Sequence, residues 1–185
     1  AITDSAPAAT ALATGYKSNS GYVGVLPSKV TSPGVAQNEE DAFKPIANVL
    51  EGAKRVGKAT GIVATAEIQH ATPAGFSAHV VSRSNYDDIA EQQVYQGIDV
   101  VLGGGAASLK DTRKDGENLI SVIEKNGYDF VQTREQLLAS DADKIWGSFA
   151  PVALAYDIDR ATTKPEEPTL AEMTEKAIDT LDKDE

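Results

Sequence analysis

The 185-residue sequence has no cysteine, only two histidines, and a single tryptophan and methionine. Without cysteine it can form no disulfide and offers no thiolate to a metal, and the redox compartment leaves no trace. Positive charge is scarce: 17 Lys and Arg stand against 28 Asp and Glu, a formal net charge of −11. Nucleic acid is bound through basic patches, so this balance argues against it as a partner. A small phosphorylated substrate stays open, because a local cluster can oppose the overall sign. No apolar run approaches the roughly 18 residues of a membrane span. No signal-peptide pattern is visible, which says little because the first residues already lie inside a motif. What remains is 41% hydrophobic and 24% charged, the balance of a single globular domain with a sizeable core.

The most informative stretch is residues 2–11, ITDSAPAATA. Small residues from Ala6 to Thr14 predict a helix. Pro7 is tolerated in its first turn, and Gly15 suits a left-handed cap. Ser5 then lies at a helix N-terminus, where free N–H groups and the macrodipole favour an anion. Two readings stand side by side: an N-cap serine, or a nucleophile facing phosphorus.

Residues 16–44 lack periodicity and read as a surface excursion. Ile46, Val49, Leu50, Ala53 and Val56 share one stripe, so a helix is predicted over 43–56, opened by Pro45 and closed by Gly57. A strand follows over 59–65. Thr72 and Pro73 make an N-cap and N1 pair for a helix reaching about Val81. Another helix covers 87–96, and a buried strand, 99–102, stops at three glycines. A helix over 118–125 and a strand over 128–131 come next. Thr133 with Gln136, and Thr169 with Glu172, form capping boxes. Leu170, Met173, Ala177, Ile178 and Leu181 make the stripe of the last helix. Residues 141–167 read as irregular, with a strand near 145–149. Strands alternating with helices predict an α/β fold with a mostly parallel sheet.

Several side chains have bland readings. His79 is read as packed or at the surface. Gly103 to Gly105 lack the spacing of a phosphate loop and read as a tight strand exit. Glu166, Glu167 and Asp182 to Glu185 read as solvated charge, and Asp157 with Asp159 as loop residues rather than a cation site.

Residues 64–83 read ATAEIQHATPAGFSAHVVSR, residues 99–105 DVVLGGG, and residues 168–178 PTLAEMTEKAI. With the opening Thr3-Asp4-Ser5-Ala6, these four stretches occur in the order and at the spacing of the alkaline phosphatase family, which the sequence closely resembles. The match is loose over 106–165. The resemblance implies a three-layer α/β sandwich, represented here in part and cut at both ends. Residues 1–185 would be one partial domain, with 16–44 and 141–167 as excursions.

It also implies a chemistry: hydrolysis of phosphate monoesters through a phosphoserine on Ser5, with zinc and magnesium as cofactors. Arg83 matches the phosphate clamp, where a guanidinium grips two oxygens as a lysine could not. Otherwise it is a surface arginine. Asp4 would hold the Arg83 rotamer. Ser5, His70 and Thr72 match metal positions. Some bacterial members carry aspartate where His70 stands, and imidazole suits zinc better than octahedral magnesium. Most zinc ligands of the family fall outside this sequence, so the chain alone is expected to be inactive. The alternatives are a non-catalytic fragment, or a related phosphodiesterase or sulfatase. The resemblance further implies inorganic phosphate as a ligand, a homodimeric parent, a periplasmic or secreted location, and a second chain as one source of the missing half.

Overall fold

A computed structural model describes residues 2–30, 33–36 and 38–183. Eight helices and four strands are placed among them. α1 is Ser5–Thr14, α2 Val49–Arg55, β1 Gly61–Glu67, α3 Ala71–Ala74, α4 Tyr86–Gln96 and β2 Val100–Gly104. α5 is Leu119–Lys125, β3 Asp129–Val131, α6 Arg134–Ala139, β4 Ile145–Ser148, α7 Asp157–Thr163 and α8 Leu170–Leu181.

The four strands form one sheet in the order β1-β2-β4-β3, every pair parallel. Val100 aligns with Ile145 and Val101 with Trp146. Side chains alternate across a strand, so these registers build two cores. Val101, Trp146 and Ile62 face α4 and α5, packing with Val94, Ile98, Leu119 and Ile123. Val100, Leu102 and Ile145 face α6 and α8, packing with Leu137, Met173 and Ala177. Helices thus cover both faces of a parallel sheet, and the fold is a mixed α/β sandwich. No helix among the described residues is long and apolar enough to cross a membrane.

Both capping boxes form, at Thr133 with Gln136 and at Thr169 with Glu172. Other elements differ from expectation. The helix over 43–56 begins only at Val49, capped by Asn48 in its own capping box with Glu51. Residues before it are not helical: Phe43 turns the chain with a left-handed φ of 64°, and Pro45 then bridges Val25. The stripe of α8 splits, with Met173 and Ala177 buried while Leu170 and Ile178 stay exposed. Within 141–167, β4 stands where a strand was expected, and α7 adds a helix that was not. Asp157 and Asp159 lie in the first turn of α7, where acidic side chains complement the dipole. Glu167 is not solvated: it is 4% exposed and accepts from the Ala155 N–H at 2.7 Å. Asp184 and Glu185 lie outside the described residues.

A third cluster is built from small residues. Ala6 of α1 meets Ala71 and Ala74 of α3, with Ala78, Val23, Val80 and Ile89 around them. Gly75 sits where a Cβ would stand 2.6 Å from the Cβ of Ala9. Small side chains here let α1 lie close against the turn that follows β1. β1 pairs with β2 alone among the described residues, and its other side opens on a groove of about 700 Å³ lined by Val49, Leu50, Ala53, Phe76 and Leu170.

Candidate active site

The carboxyl end of β1 leads within three residues to His70, just before α3. Ligand sites of open parallel sheets lie in such places. The small-residue contact between α1 and α3 brings the start of α1 to the same spot.

Asp4, not Ser5, is the N-cap of α1. Its extended backbone and its Oδ1, which accepts from the Ala6 N–H at 2.8 Å, make the cap. Ser5 is therefore the first helical residue, and its hydroxyl is left for other work. Arg83 reaches it from 78 residues away: Nη1 donates to Ser5 Oγ at 2.8 Å. The same nitrogen stands 3.5 Å from Asp4 Oδ1. Nη2 of Arg83 lies 3.1 Å from His70 Nε2. A guanidinium only donates, so Nε2 is the acceptor, and a neutral His70 carries its proton on Nδ1. Ser5, Asp4, Arg83 and His70 are thus one constellation on an otherwise acidic protein.

The Asp4 carboxyl is half-buried. Burial alone would raise it. Hydrogen bonds from the Ser20 hydroxyl and the N–H groups of Ala6 and Gly21, with the charge of Arg83, outweigh that and hold it below the usual carboxylate range. It stays ionised beside the guanidinium. Tyr86, packed on the same small-residue cluster, is pushed up by burial and by the charge of Glu67.

Thr72 is placed differently from expectation. α3 is one turn long and starts at Ala71, so Thr72 lies inside it, exposed, and is not its N-cap. Beyond it the chain runs in turns and then extends so that Val80 bridges Val23, so no continuous helix reaches Val81. Thr72 and His70 line the same groove beside β1. His79 is packed: its ring bridges the Gly24 carbonyl at 2.7 Å and Glu51 Oε1 at 2.8 Å.

The metal-donor chemistry of this spot is limited. The donors here are the His70 imidazole, whose Nε2 lone pair already accepts from Arg83, and the hydroxyls of Ser5 and nearby Thr72. That set suits partial ligation of one cation, since of its three donors only the imidazole is a usual ligand of a catalytic zinc. Among the described residues, the acidic group able to hold a cation is Glu91, Asp115 and Glu117. It surrounds the buried Arg113, which pairs with all three, so its charge is already matched.

Comparisons with known proteins give the family of the chain. The alkaline phosphatase family profile matches residues 1–185. The chain belongs to the alkaline phosphatase family. It is 40% identical to alkaline phosphatase 4 of Bacillus subtilis over 97% of this chain and 36% of that protein. It is 37% identical to the alkaline phosphatase of Schizosaccharomyces pombe, over 97% of this chain and 34% of that one. The crystal structure of Thermus thermophilus alkaline phosphatase superposes with a TM-score of 0.87 at 33% identity, covering 99% of this chain and 36% of that chain. The chain thus spans about a third of the length of these relatives. A variant of the enzyme from the Antarctic bacterium TAB5, with one histidine changed to aspartate and Mg bound in its M3 site, superposes at 0.80 and 26% identity.

Two residues that hold the Asp4 carboxylate carry no signal in the sequence. Ser20 donates to Asp4 Oδ2, and the Gly21 N–H donates to the same oxygen at 2.8 Å. No periodicity marks them; an Asn-Ser-Gly turn is the only local signal.

Proposed function

We propose that this chain carries the phosphate-handling part of a metal-assisted phosphomonoesterase, with Ser5 as nucleophile and Arg83 as phosphate clamp. The observation that carries the reading is the 2.8 Å contact of Arg83 Nη1 with Ser5 Oγ at the N-terminus of a ten-residue helix. A phosphoryl group seated there would meet fixed positive charge on its non-bridging oxygens and N–H groups of the first turn behind them.

Ser5 Oγ forms a bond to phosphorus as the ester P–O bond breaks. The hydroxyl proton leaves with its acceptor, and the departing alkoxide is protonated. Water then attacks the phosphoserine, the P–Oγ bond breaks, and inorganic phosphate and free Ser5 result. Arg83 holds two oxygens of the same group through both halves. Asp4 keeps the guanidinium charged and oriented. A monoester keeps three non-bridging oxygens, so two can sit on Arg83 and the third on a cation, whereas a diester keeps two and would leave the cation none.

Zinc and magnesium fit this reading as the cofactors. When bound, such ions lower the pKa of a nucleophile and hold the leaving oxygen. His70 and Thr72 are this chain's candidate ligands, for a single cation. Relatives of similar sequence are named alkaline phosphatases, which supports the reaction class. The same family membership supports a homodimer and a periplasmic or secreted setting.

Trapping the full-length protein with a phosphate monoester at acidic pH should leave phosphate on Ser5. Peptide mapping that places it on another residue overturns the assignment. The 185-residue chain alone, with zinc and magnesium added, is expected to hydrolyse no aryl phosphate above background, because its donors cannot complete a zinc pair.

A further inference from the structure

We infer that Ser20 and Gly21 are positioning residues of the Ser5 site, which keep Asp4 from closing a two-pronged grip on Arg83 and so leave the guanidinium free for phosphate. The inference rests on the reading of Arg83 as the clamp.

Arginine and carboxylate pair best as a fork, two parallel N–H···O bonds. Asp4 and Arg83 do not make one. Asp4 Oδ1 takes the Ala6 N–H at 2.8 Å and stands 3.5 Å from Arg83 Nη1. The second oxygen, Oδ2, points the other way. It takes the Ser20 hydroxyl and the Gly21 N–H. With Oδ2 held there, the carboxylate cannot rotate to offer both oxygens to the guanidinium. Nη1 and Nη2 are spent instead on Ser5 Oγ and His70 Nε2, groups that face the expected position of a phosphoryl group. A forked Asp4–Arg83 pair would draw those N–H groups off the site and satisfy them internally.

The two donors are themselves fixed. The Tyr22 N–H closes a turn onto the Asn19 carbonyl at 3.1 Å, with Gly21 at φ 80°, a conformation that favours glycine. The Gly21 carbonyl accepts the backbone N–H of Arg83 at 2.7 Å, so one residue touches both members of the pair. Val23 bridges Val80, and the Gly24 N–H donates to Thr10 Oγ1 at 2.9 Å. The segment is thus tied to α1 on one side and to residues 79–83 on the other. Ser20 itself is exposed, so its hydroxyl serves no core.

The test is inorganic phosphate binding by calorimetry, with steady-state kinetics, on the full-length metal-loaded protein. Ser20→Ala should weaken phosphate binding and raise KM by about 3- to 10-fold, the scale of one hydrogen bond. It should change kcat less than KM and leave the melting temperature in place. Ser20→Thr, which keeps the hydroxyl, should restore affinity. In an Asp4→Ala background, Ser20→Ala should have no further effect, because its action passes through Asp4. Full effect in that background, or unchanged affinity in the single variant, overturns the inference. Arg83→Ala separates the two readings. If it weakens phosphate binding and Ser20→Ala does not, the positioning role alone fails. If Arg83→Ala changes nothing, the clamp itself fails and the inference falls with it.

Discussion

The sheet and the α1–α3 contact hold themselves together by different means. The sheet is dry and bulky: Leu102, Ile145 and Trp146 are fully buried, and area removed from water stabilises them. The α1–α3 contact is made of alanine and glycine, which bury little area each. Its order comes from close approach, and α1 is held in place by hydrogen bonds that Gly24 and Gly21 donate to Thr10 and Asp4. The site chemistry sits on the second kind of structure. Backbones that nearly touch let a short hydroxyl and a long arginine meet, and a bulkier contact would separate them.

This contrast can be broken at the sheet first. Trp146→Ala should cost about 3–5 kcal/mol, the range for removing a buried aromatic. A chemical denaturation midpoint that barely moves would mean that the core relaxes into the space. Next comes Gly75→Val, where the added side chain meets Ala9 and Thr10 of α1. Overpacking of this kind costs about 1–3 kcal/mol, and phosphate binding should drop with it. A stable Gly75→Val protein with intact phosphate binding would refute the close-approach argument.

Smaller effects sharpen the comparison. The Arg134 hydrogen bond holds the Glu172 carboxyl at about 2, below its ordinary 4.5. A carboxyl depressed on folding stabilises the native state above its unfolded value. That contribution should be fully present above pH 4.5 and fade as pH falls toward about 2. The pair is largely solvated, so its worth is at most about 1 kcal/mol. Comparing Glu172→Gln with the parent across this range checks both sign and size. Last, Arg83→Ala should change stability by no more than about 1 kcal/mol, since the side chain is about a third exposed and its 3.5 Å pair with Asp4 is partly solvated, yet weaken inhibition by phosphate. A large loss of stability would make Arg83 a structural residue.

Legibility in the sequence followed the same division. Hydrophobic runs and capping boxes are local, so β2, α6 and α8 could be placed from residues a few positions apart. The helix over 43–56 was overextended because Ile46 fits the apolar stripe, while Pro45 is drawn into a bridge with Val25. α7 went unseen because none of its residues is buried, so no stripe marks it. At the site, Ser5, Asp4, Arg83 and His70 were named through family motifs, and their meeting in space depends on contacts up to 78 residues apart. Ser20 was missed for that reason. Its partner is 16 residues away across a turn, and a single serine leaves no pattern. Glu167 was misread because two adjacent acids look solvated, while the chain buries one of them under residue 155.

The strand order has a consequence for the route by which the chain folds. A sheet in which every neighbour is parallel contains no hairpin, so no pair of strands can form from a tight turn alone. β1 must wait for β2, some 40 residues on, and β2 must wait for β4 across a similar gap. Distant pairing of this kind is slow and leaves apolar strands uncovered meanwhile. α1, made before the sheet during synthesis, finds its partners only when residues 71–83 have folded against β1. Mutations that slow pairing of the sheet should therefore delay the appearance of phosphate binding, even where they leave Ser5, Arg83 and everything between them untouched.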